Sequence, residues 1–229
     1  MALVYDGNIC DARYSKCCGG ISERFENVWE PEIHPYLTRV VDNPVDPPGY
    51  DARPDNEESA EKWILGNPEA FCNTKSLFVL GQVLNDYDQE TTDFFRWTVK
   101  ITQEELQGLL KRKADLDLGD ITHLVPLERG SSGRIIRLRI EGTGGSMIIG
   151  KELEIRKALS DSHLYSSAFV VENDSLNNGV PSGFTIRGAG WGHGVGLCQI
   201  GAAVMGSGGY PYTDILSHYF PGARIEKFY

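Results

Sequence analysis

The strongest signal in this chain is the segment Gly188-Ala189-Gly190-Trp191-Gly192-His193-Gly194-Val195-Gly196-Leu197-Cys198-Gln199-Ile200-Gly201-Ala202. Every second residue from 188 to 196 is glycine. A glycine in regular structure costs about 0.5–1 kcal/mol relative to alanine, because it loses more conformational freedom on folding. The run therefore predicts backbone in special conformations, or backbone that approaches another segment closely. A helix is predicted directly after it, and the exposed N–H groups at its start suit an anion or a polar sugar group.

Two interpretations of this glycine-rich loop stay open at the level of sequence. It is either a tight crossing beneath a sheet, where glycines serve close backbone packing, or a loop that lines a substrate groove and presents Trp191 and His193. A phosphate-binding loop is disfavoured, because no Gly-Lys-Ser/Thr follows the glycines.

Outward from the loop, the chain mixes short helices with strands. A helix is predicted over Glu57–Leu65, ended by Gly66-Asn67-Pro68, and another begins at the capping box of Thr102 and Glu105. The apolar run Leu77–Leu80 indicates a strand or a buried connection.

Alternating apolar and charged residues over 134–140 predict a half-buried antiparallel strand. Asn177-Asn178-Gly179 indicates a hairpin between strands at 168–171 and 184–186. Two helices are predicted near the end, around Gln199–Met205 and Asp214–Tyr219. The sum is an α+β fold with a largely antiparallel sheet, a few short helices and a Gly-rich loop leading into C-terminal helices.

Composition narrows the classes of partner. The net charge of −10 argues against non-specific binding to nucleic acid or anionic lipid, whereas sugar polymers stay compatible. No apolar run reaches the roughly 18 residues of a membrane-spanning helix. The start, Met1–Gly7, lacks the basic and apolar regions of a signal peptide, and its abrupt strand suggests that something upstream has been removed.

The chain has five cysteines, an odd number that cannot all pair within it: Cys10, Cys17, Cys18, Cys72 and Cys198. The cysteines at positions 10, 17 and 18 are compatible with buried reduced thiols, with a small disulfide or with a metal site, and the sequence does not decide between these interpretations. The spacing matches no common zinc pattern, so we expect no metal and no cofactor.

The segment from Gly190 to Ala202, followed by Met205, Gly209, Tyr212, Ile215-Leu216 and His218–Gly222, closely resembles the C-terminal signature of the SpoIID/LytB family. Further similar residues occur along nearly the whole chain, and they are Tyr5–Gly7, Ala12–Ser15, Cys18–Gly20, Val28-Trp29, Pro35–Leu37, Ser132–Arg134, Gly150, Leu153, Arg156 and Ser166–Phe169. We therefore expect residues 1–229 to form a single domain corresponding to the C-terminal part of the family.

About residues 42–95 fall outside the resemblance, so we predict an insertion there. Within it, residues 42–58 are rich in Pro, Asp and Asn and predict an exposed loop. The segments Phe71–Thr74 and Leu84–Glu90 are similar to Bacteroidetes relatives.

The resemblance implies a function at the cell wall. Sporulation-type members are lytic transglycosylases that cut peptide-free glycan strands and leave an anhydro sugar end, and LytB-type members are amidase enhancers. One carboxylic acid serves the cleavage as acid and then as base. The family places that Glu in an N-terminal block, near Tyr-Leu-x-Gly-Val-Val and before an Ala-rich helix, and neither element is found here. The catalytic residue is therefore unknown, and Glu23, Glu26, Glu30 and Glu32 are predicted to be solvated surface charges.

The resemblance leaves a binding and scaffolding role for the residues present. Those assigned to substrate binding are Trp191, His193, Gln199, Arg134, Tyr212 and His218. Packing roles for Trp191 and a structural role for His193 are the competing interpretations. Some relatives bind zinc through Cys and His near the region of Cys10–Cys18, but the spacing here does not reproduce a full ligand set.

Three functions follow as hypotheses. The first is an incomplete lytic transglycosylase that acts on peptidoglycan glycan strands outside the cytoplasm. The second is a non-catalytic wall-binding module or enhancer of an N-acetylmuramoyl-L-alanine amidase. The third is a thiol enzyme that uses Cys17, Cys18 or Cys198 with His193 as base, which requires a thiol of depressed pKa.

Overall fold

The computed structural model describes residues 1–44, 54–85 and 91–227. The chain divides into two compact units. The first unit comprises Met1–Asp51, Pro68–Phe95 and Gly190–Tyr229, and the second comprises Ala52–Asn67 and Arg96–Ala189. Helices and mostly antiparallel strands occur in both units, which confirms the predicted α+β class.

The described residues contain six α-helices and thirteen strands. The helices are α1 Glu57–Leu65, α2 Leu77–Val83, α3 Gln103–Ala114, α4 Glu152–Ala158, α5 Gln199–Ser207 and α6 Tyr212–Tyr219. The strands are β1 Ala2–Tyr5, β2 Asn8–Ile9, β3 Tyr14–Ser15, β4 Arg96–Thr102, β5 Ile121–Arg129, β6 Ile135–Gly142, β7 Gly145–Ile149, β8 Phe169–Asn173, β9 Leu176–Asn177, β10 Val180–Pro181, β11 Gly183–Ala189, β12 Leu197–Cys198 and β13 Arg224–Glu226. Among the helices described, none is long and apolar enough to cross a membrane.

The first unit brings the two ends of the chain together. β1 lies between β13 and β2 in an antiparallel sheet, with Leu3 opposite Ile225. β12 pairs in parallel with β3 from the other end of the chain, with Leu197 opposite Tyr14. Helices α2 and α5 pack on one core of aromatic, aliphatic and cysteine side chains, which includes Leu37, Phe94 and Phe220.

The second unit is built on two three-stranded antiparallel sheets. One has the order β4-β11-β8 and the other is the meander β5-β6-β7. In β6, Ile135, Leu138 and Ile140 are fully buried, while Arg137 and Arg139 lie nearer to solvent. Helices α3 and α4 close this core. The predicted inward face was Ile136, Leu138 and Ile140, and it is confirmed for Leu138 and Ile140. It is wrong for Ile136, which is only half-buried, because Ile135 takes the buried position at the start of the strand.

Several predicted elements are confirmed in position. Helix α1 covers the predicted range, and its N-cap Asn56 accepts a hydrogen bond from the Ser59 N–H at 3.0 Å. The Thr102 capping box is complete, with both reciprocal hydrogen bonds to Glu105 formed. The predicted hairpin is present: β8 and β11 pair antiparallel, and Asn178 adopts a positive φ of 51° in the turn.

The run Leu77–Leu80 was predicted as a strand or a buried connection, and this is wrong. It forms the first half of helix α2. Leu77 and Phe78 are 71% and 73% exposed, whereas Val79 and Leu80 are buried. Four apolar residues are too few to reveal a helical period, so the pattern alone did not separate the alternatives.

Both C-terminal helices are present, as α5 and α6. The closing strand β13 was not predicted, because a three-residue segment of mixed polarity carries no pattern of its own and forms only by pairing with β1.

The predicted insertion at 42–95 contributes to both units, since residues 52–67 belong to the second and residues 68–95 to the first. Of the predicted exposed loop at 42–58, residues 45–53 lie outside the described part, as do residues 86–90 of the Bacteroidetes-like segment. The predicted single family domain is compatible with two compact units and stays a prediction.

Arg129 joins three parts of the second unit. Its side chain is 1% exposed and forms a bidentate ion pair with Glu57 of α1. It also donates to the carbonyls of Gly133 and Phe169 at 2.7 and 3.0 Å. Removing it leaves buried acceptors without their donor, so Arg129→Ala is expected to destabilise the chain by about 3 kcal/mol or more.

A matched control is Arg187→Ala in the same unit, where the ion pair with Glu172 is about half exposed. That change is expected to cost about 1 kcal/mol or less. Thermal unfolding by calorimetry, followed for both variants, measures the difference. Equal losses for Arg129→Ala and Arg187→Ala would contradict the role given to Arg129.

Candidate functional site

The glycine-rich loop is held by backbone hydrogen bonds to the segment that contains β3. Cys17 and Trp191 exchange both of their backbone bonds, at 3.0 and 2.7 Å. The Leu197 N–H donates to the Arg13 carbonyl at 3.0 Å, and the Glu23 N–H donates to the Gly194 carbonyl at 2.9 Å. We call this pairing of residues 190–198 with residues 13–23 the seam.

The glycines of the loop meet two structural needs at the seam. Gly190 and Gly196 have φ of +74° and +72°, where a side chain is strained. A Cβ on Gly190 would lie 2.8 Å from the Cys17 carbonyl, and one on Gly196 would overlap the Arg13 carbonyl. The close-packing interpretation therefore holds for these two positions, while Trp191 and His193 between them have partly exposed side chains.

His193 lies in a partly exposed aromatic group. Its ring packs edge-on against Trp29, with centroids 4.8 Å apart, and its Nδ1 accepts a hydrogen bond from the Val195 N–H at 3.0 Å. The Arg13 guanidinium lies over the Trp29 ring, 4.5 Å from its centroid. The imidazole is thus fixed by its own loop, with an indole and a cation beside it.

Trp191 forms a second group of the same kind. Its ring packs against Phe94 at a centroid distance of 4.8 Å. The Lys16 ammonium lies 4.8 Å from the centre of the Trp191 ring. Trp191 and Lys16 are both half-buried, so the indole is neither a pure core residue nor fully open.

Glu23 was predicted to be a solvated surface charge, and this is wrong. Its side chain is completely buried at the seam. The carboxylate accepts hydrogen bonds from the Arg24 N–H and from Asn27 Nδ2, each at 2.8 Å. Of the other acidic residues in this stretch, Glu26 is half-buried, while Glu30 and Glu32 are exposed as predicted.

The remaining predicted site residues of the first unit lie on the C-terminal helices. Gln199 is the first residue of α5 and is half-buried. Tyr212 begins α6 and is 56% exposed. His218 packs edge-on against Tyr219 at 4.7 Å, and burial lowers its pKa.

Arg134 belongs to the second unit. It is 1% exposed, and its guanidinium donates to Ser132 Oγ at 3.0 Å. The structure thus joins Trp191 and His193 in one loop and buries Arg134 elsewhere, and the substrate-binding roles of all six residues stay predictions.

Below the loop, the first unit contains a cluster of buried ionisable groups. The Sγ atoms of Cys18, Cys72 and Cys198 and a carboxylate oxygen of Asp42 all lie within 4.8 Å of one another. None of the five cysteines forms a disulfide, and all five are buried. Asp42 was not singled out from the sequence, and Cys72 was named there without a role, because nothing in the spacing linked either residue to Cys198.

The cluster has its own hydrogen bonds. Asp42 accepts from the Cys72 N–H at 2.8 Å and from the Tyr219 hydroxyl at 2.5 Å. The Cys18 N–H donates to Cys198 Sγ at 3.2 Å, and the Sγ atoms of Cys18 and Cys72 are 3.7 Å apart.

Burial and hydrogen bonding shift the pKa values within this cluster in opposite directions. Burial raises the pKa of the Cys17, Cys18 and Cys72 thiols, and it raises the pKa of Asp42 to about 7, to which the charge of Cys198 adds. Burial also acts to raise the pKa of Cys198, but hydrogen bonds from the other three thiols outweigh it and hold that pKa well below the usual thiol value. The raised values at Cys17 and Cys18 are the opposite of what a nucleophilic thiol needs.

The seam yields a test of its glycines. Gly196→Ala adds a methyl group that overlaps the Arg13 carbonyl at a φ of +72°. Gly209→Ala is the control, because its φ is +86° and nothing lies within 4 Å of the added carbon.

Both variants bear the strain of about 1–2 kcal/mol for a side chain at positive φ, and only Gly196→Ala adds the clash. We expect Gly196→Ala to lower the melting temperature clearly more than Gly209→Ala, as measured by calorimetry. Similar melting temperatures for the two variants would show that the seam tolerates a side chain at 196.

Comparison with known proteins finds a matching family and similar proteins. Residues 23–196 match the family described as "Domain of unknown function (DUF8618)". The protein named "Amidase enhancer" from Bacillus subtilis (strain 168) is 24% identical over 240 residues, which cover 99% of this chain and 31% of that protein. The "Stage II sporulation protein D" of Bacillus amyloliquefaciens is 37% identical over 170 residues, or 74% of this chain and 44% of that protein.

The chain thus spans less than half the length of either relative. The names of these two relatives agree with the SpoIID/LytB resemblance that the motif of the glycine-rich loop indicated. That resemblance is confirmed. With the match over residues 23–196, the chain belongs to the DUF8618 domain family and is SpoIID/LytB-like.

Proposed function

We propose that the first unit binds the glycan strands of peptidoglycan, as the binding part of a wall-acting protein of the lytic transglycosylase class. One observation carries the proposal: two partly exposed indoles, Trp29 next to the seam and Trp191 within it, each have a cationic side chain over the ring. His193 stands beside the first indole. The wall, outside the cytoplasm, is the corresponding location.

The chemistry of the ligand fits this pairing of indole and cation. Pyranose rings have apolar C–H faces that pack on aromatic rings, while their hydroxyls need polar partners. Muramic acid also carries a lactyl carboxylate, which is free and charged once the stem peptide is gone. A cation beside each indole therefore suits a peptide-free strand, in which every second sugar is an anion.

The positions of Arg13 and Lys16 matter because the chain as a whole carries a net charge of −10. An anionic strand is repelled by that field and needs a local reversal of sign. Arg13 also forms a surface ion pair with Asp11 at 2.7 Å, and both side chains are about 40% exposed. Such a pair is worth about 1 kcal/mol or less, so a ligand carboxylate can replace Asp11 at little cost.

Cleavage requires a carboxylic acid within reach of the glycosidic oxygen. The proposal assigns that acid to no residue of this chain. Glu23 is the buried carboxylate of the seam, but its Oε1 is already engaged by the Arg24 N–H and by Asn27. A chain that spans less than half of its relatives leaves room for the acid in another segment.

A second candidate function is that of a helper for a wall amidase. The relative named "Amidase enhancer" matches 99% of this chain, which is the observation that favours this function. Such a module binds glycan through the same indoles and needs no catalytic acid, and its partner is the amidase.

The proposal predicts charge-dependent binding. Lys16→Gln and Arg13→Gln are each expected to weaken binding of peptide-free glycan strands about fivefold, the equivalent of roughly 1 kcal/mol. Neutral N-acetylglucosamine oligomers should bind nearly as well to these variants as to the unchanged chain, because they carry no lactyl carboxylate. Isothermal calorimetry at low ionic strength measures both ligands.

The matched control is Lys75→Gln, which removes an exposed lysine of the same unit that pairs with Asp93. It should leave the affinity for both ligands unchanged. A loss of the same size in the control, or an equal loss for charged and neutral ligands, would contradict the proposed role of Lys16 and Arg13.

Cleavage is tested separately by mass spectrometry of peptide-free strands. The chain alone is expected to form no anhydro-muramic ends, and a chimera with the upstream segment of the sporulation relative is expected to form them. Ends formed by the chain alone would show that it holds its own acid, with Glu23 the first residue to replace. Faster amidase release of peptides, with no anhydro ends from the chimera, would favour the enhancer function.

A further inference from the structure

We propose that Cys18, Asp42, Cys72 and Cys198 are the four ligands of a structural metal site that binds Zn²⁺. This departs from the expectation of no metal, and it does not depend on the proposed glycan binding. The four residues come from four separate places in the chain, yet their ligand atoms all lie within 4.8 Å of one another in the core of one compact unit.

The spacing of the sulfurs suits a tetrahedral ion. Zn–S bonds are about 2.3 Å long, so two sulfurs at corners of one tetrahedron lie about 3.8 Å apart. The observed distance between the Sγ atoms of Cys18 and Cys72 is 3.7 Å. A disulfide would instead bring two sulfurs to about 2.05 Å. The observed separation therefore fits two ligands of one ion and does not fit a disulfide.

The ligand types decide the class of metal. Three thiolates and one carboxylate form a soft set, which favours Zn²⁺ over Mg²⁺ or Ca²⁺, since those ions prefer oxygen. All four residues are buried, with exposed fractions of 3% or less. A closed four-coordinate site of this kind is structural, whereas catalytic zinc keeps an open position for water or substrate.

Hydrogen bonds around the cluster hold the ligands in place. The Tyr219 hydroxyl and the Cys72 N–H both donate to the Asp42 carboxylate, and the Cys18 N–H donates to Cys198 Sγ. Such partners orient metal ligands and are typical of built metal sites. Gly201 belongs to the same design, because a Cβ there would lie 2.7 Å from Asp42 Oδ1.

Charge gives an independent argument. A buried carboxylate beside three thiols is costly to keep ionised, because a low-dielectric interior penalises each charge. A divalent cation at the centre neutralises much of this charge. It also joins four chain segments in a unit whose sheets have only two or three strands, where a cross-link stabilises the most.

Cys17 is the alternative fourth ligand, since it also contacts Cys72 and Cys198. We assign Asp42 because its carboxylate oxygen and the three other ligand atoms all lie within 4.8 Å of one another. Cys17 is adjacent to Cys18 in the seam, where its backbone is bound on both sides by Trp191. The two assignments give different spectra, so one experiment separates them.

The first measurement is the metal content of the chain, purified with a reductant under nitrogen and dialysed against metal-free buffer. Inductively coupled plasma mass spectrometry is expected to find one zinc per chain. Cys18→Ser, Cys72→Ser and Cys198→Ser should each lose it. Cys10→Ser is the matched control, a buried cysteine of the same unit outside the cluster, and should keep it.

Cobalt substitution of the unchanged chain gives a result that needs no variant to fold. Co²⁺ added to the metal-free protein should produce near-ultraviolet thiolate charge-transfer bands and the visible bands of a tetrahedral ion. Cys17→Ser should leave this spectrum unchanged, and Asp42→Asn should shift its visible bands and weaken Zn²⁺ binding at least about tenfold.

Three results would overturn the proposal. One is a chain that binds neither Zn²⁺ nor Co²⁺ when reduced. Another is a Cys18–Cys72 disulfide in the intact mass of protein kept under nitrogen. The third is a Cys17→Ser variant that loses one thiolate's share of the charge-transfer intensity while Asp42→Asn changes nothing, since this would remove Asp42 from the ligand set.

Discussion

The seam between the glycine-rich loop and the segment around β3 is the interaction on which the first unit depends. Its backbone hydrogen bonds join residues 13–23 to residues 190–198, at opposite ends of the chain. Gly190 and Gly196 allow the two backbones to approach, because any side chain there would collide with a carbonyl. The entropic cost of these glycines is therefore offset by contacts that no other residue permits.

The seam has two faces with different chemistry. On its outer side it presents Trp29, Trp191 and His193 together with two cationic side chains. On its inner side lie Cys18 and Cys198, within the buried cluster that Asp42 and Cys72 complete. The same pairing of two segments thus positions both the proposed glycan surface and the proposed metal ligands. A metal ion that holds Cys18 and Cys198 in place would therefore also hold the segments that carry Trp191 and His193.

This arrangement suits a sulfur atom at position 198 better than a hydroxyl group. A serine hydroxyl there would need a hydrogen-bond partner in a fully buried place, whereas the sulfur accepts the Cys18 N–H and contacts other sulfurs. The cysteines of this chain form one set contributed by distant segments, and the insertion that contains Cys72 takes part in the core.

The sequence by itself determined the elements whose signals are local: the capped helices α1 and α3, the hairpin at Asn178 and the α+β class. It also determined the SpoIID/LytB resemblance, because the motif from Gly190 onward is long and continuous. It missed α2, β13, the burial of Glu23 and the union of Asp42 and Cys72 with Cys18 and Cys198. These depend on contacts between residues tens to hundreds of positions apart, which only the tertiary structure brings together and which leave no periodic trace in the chain.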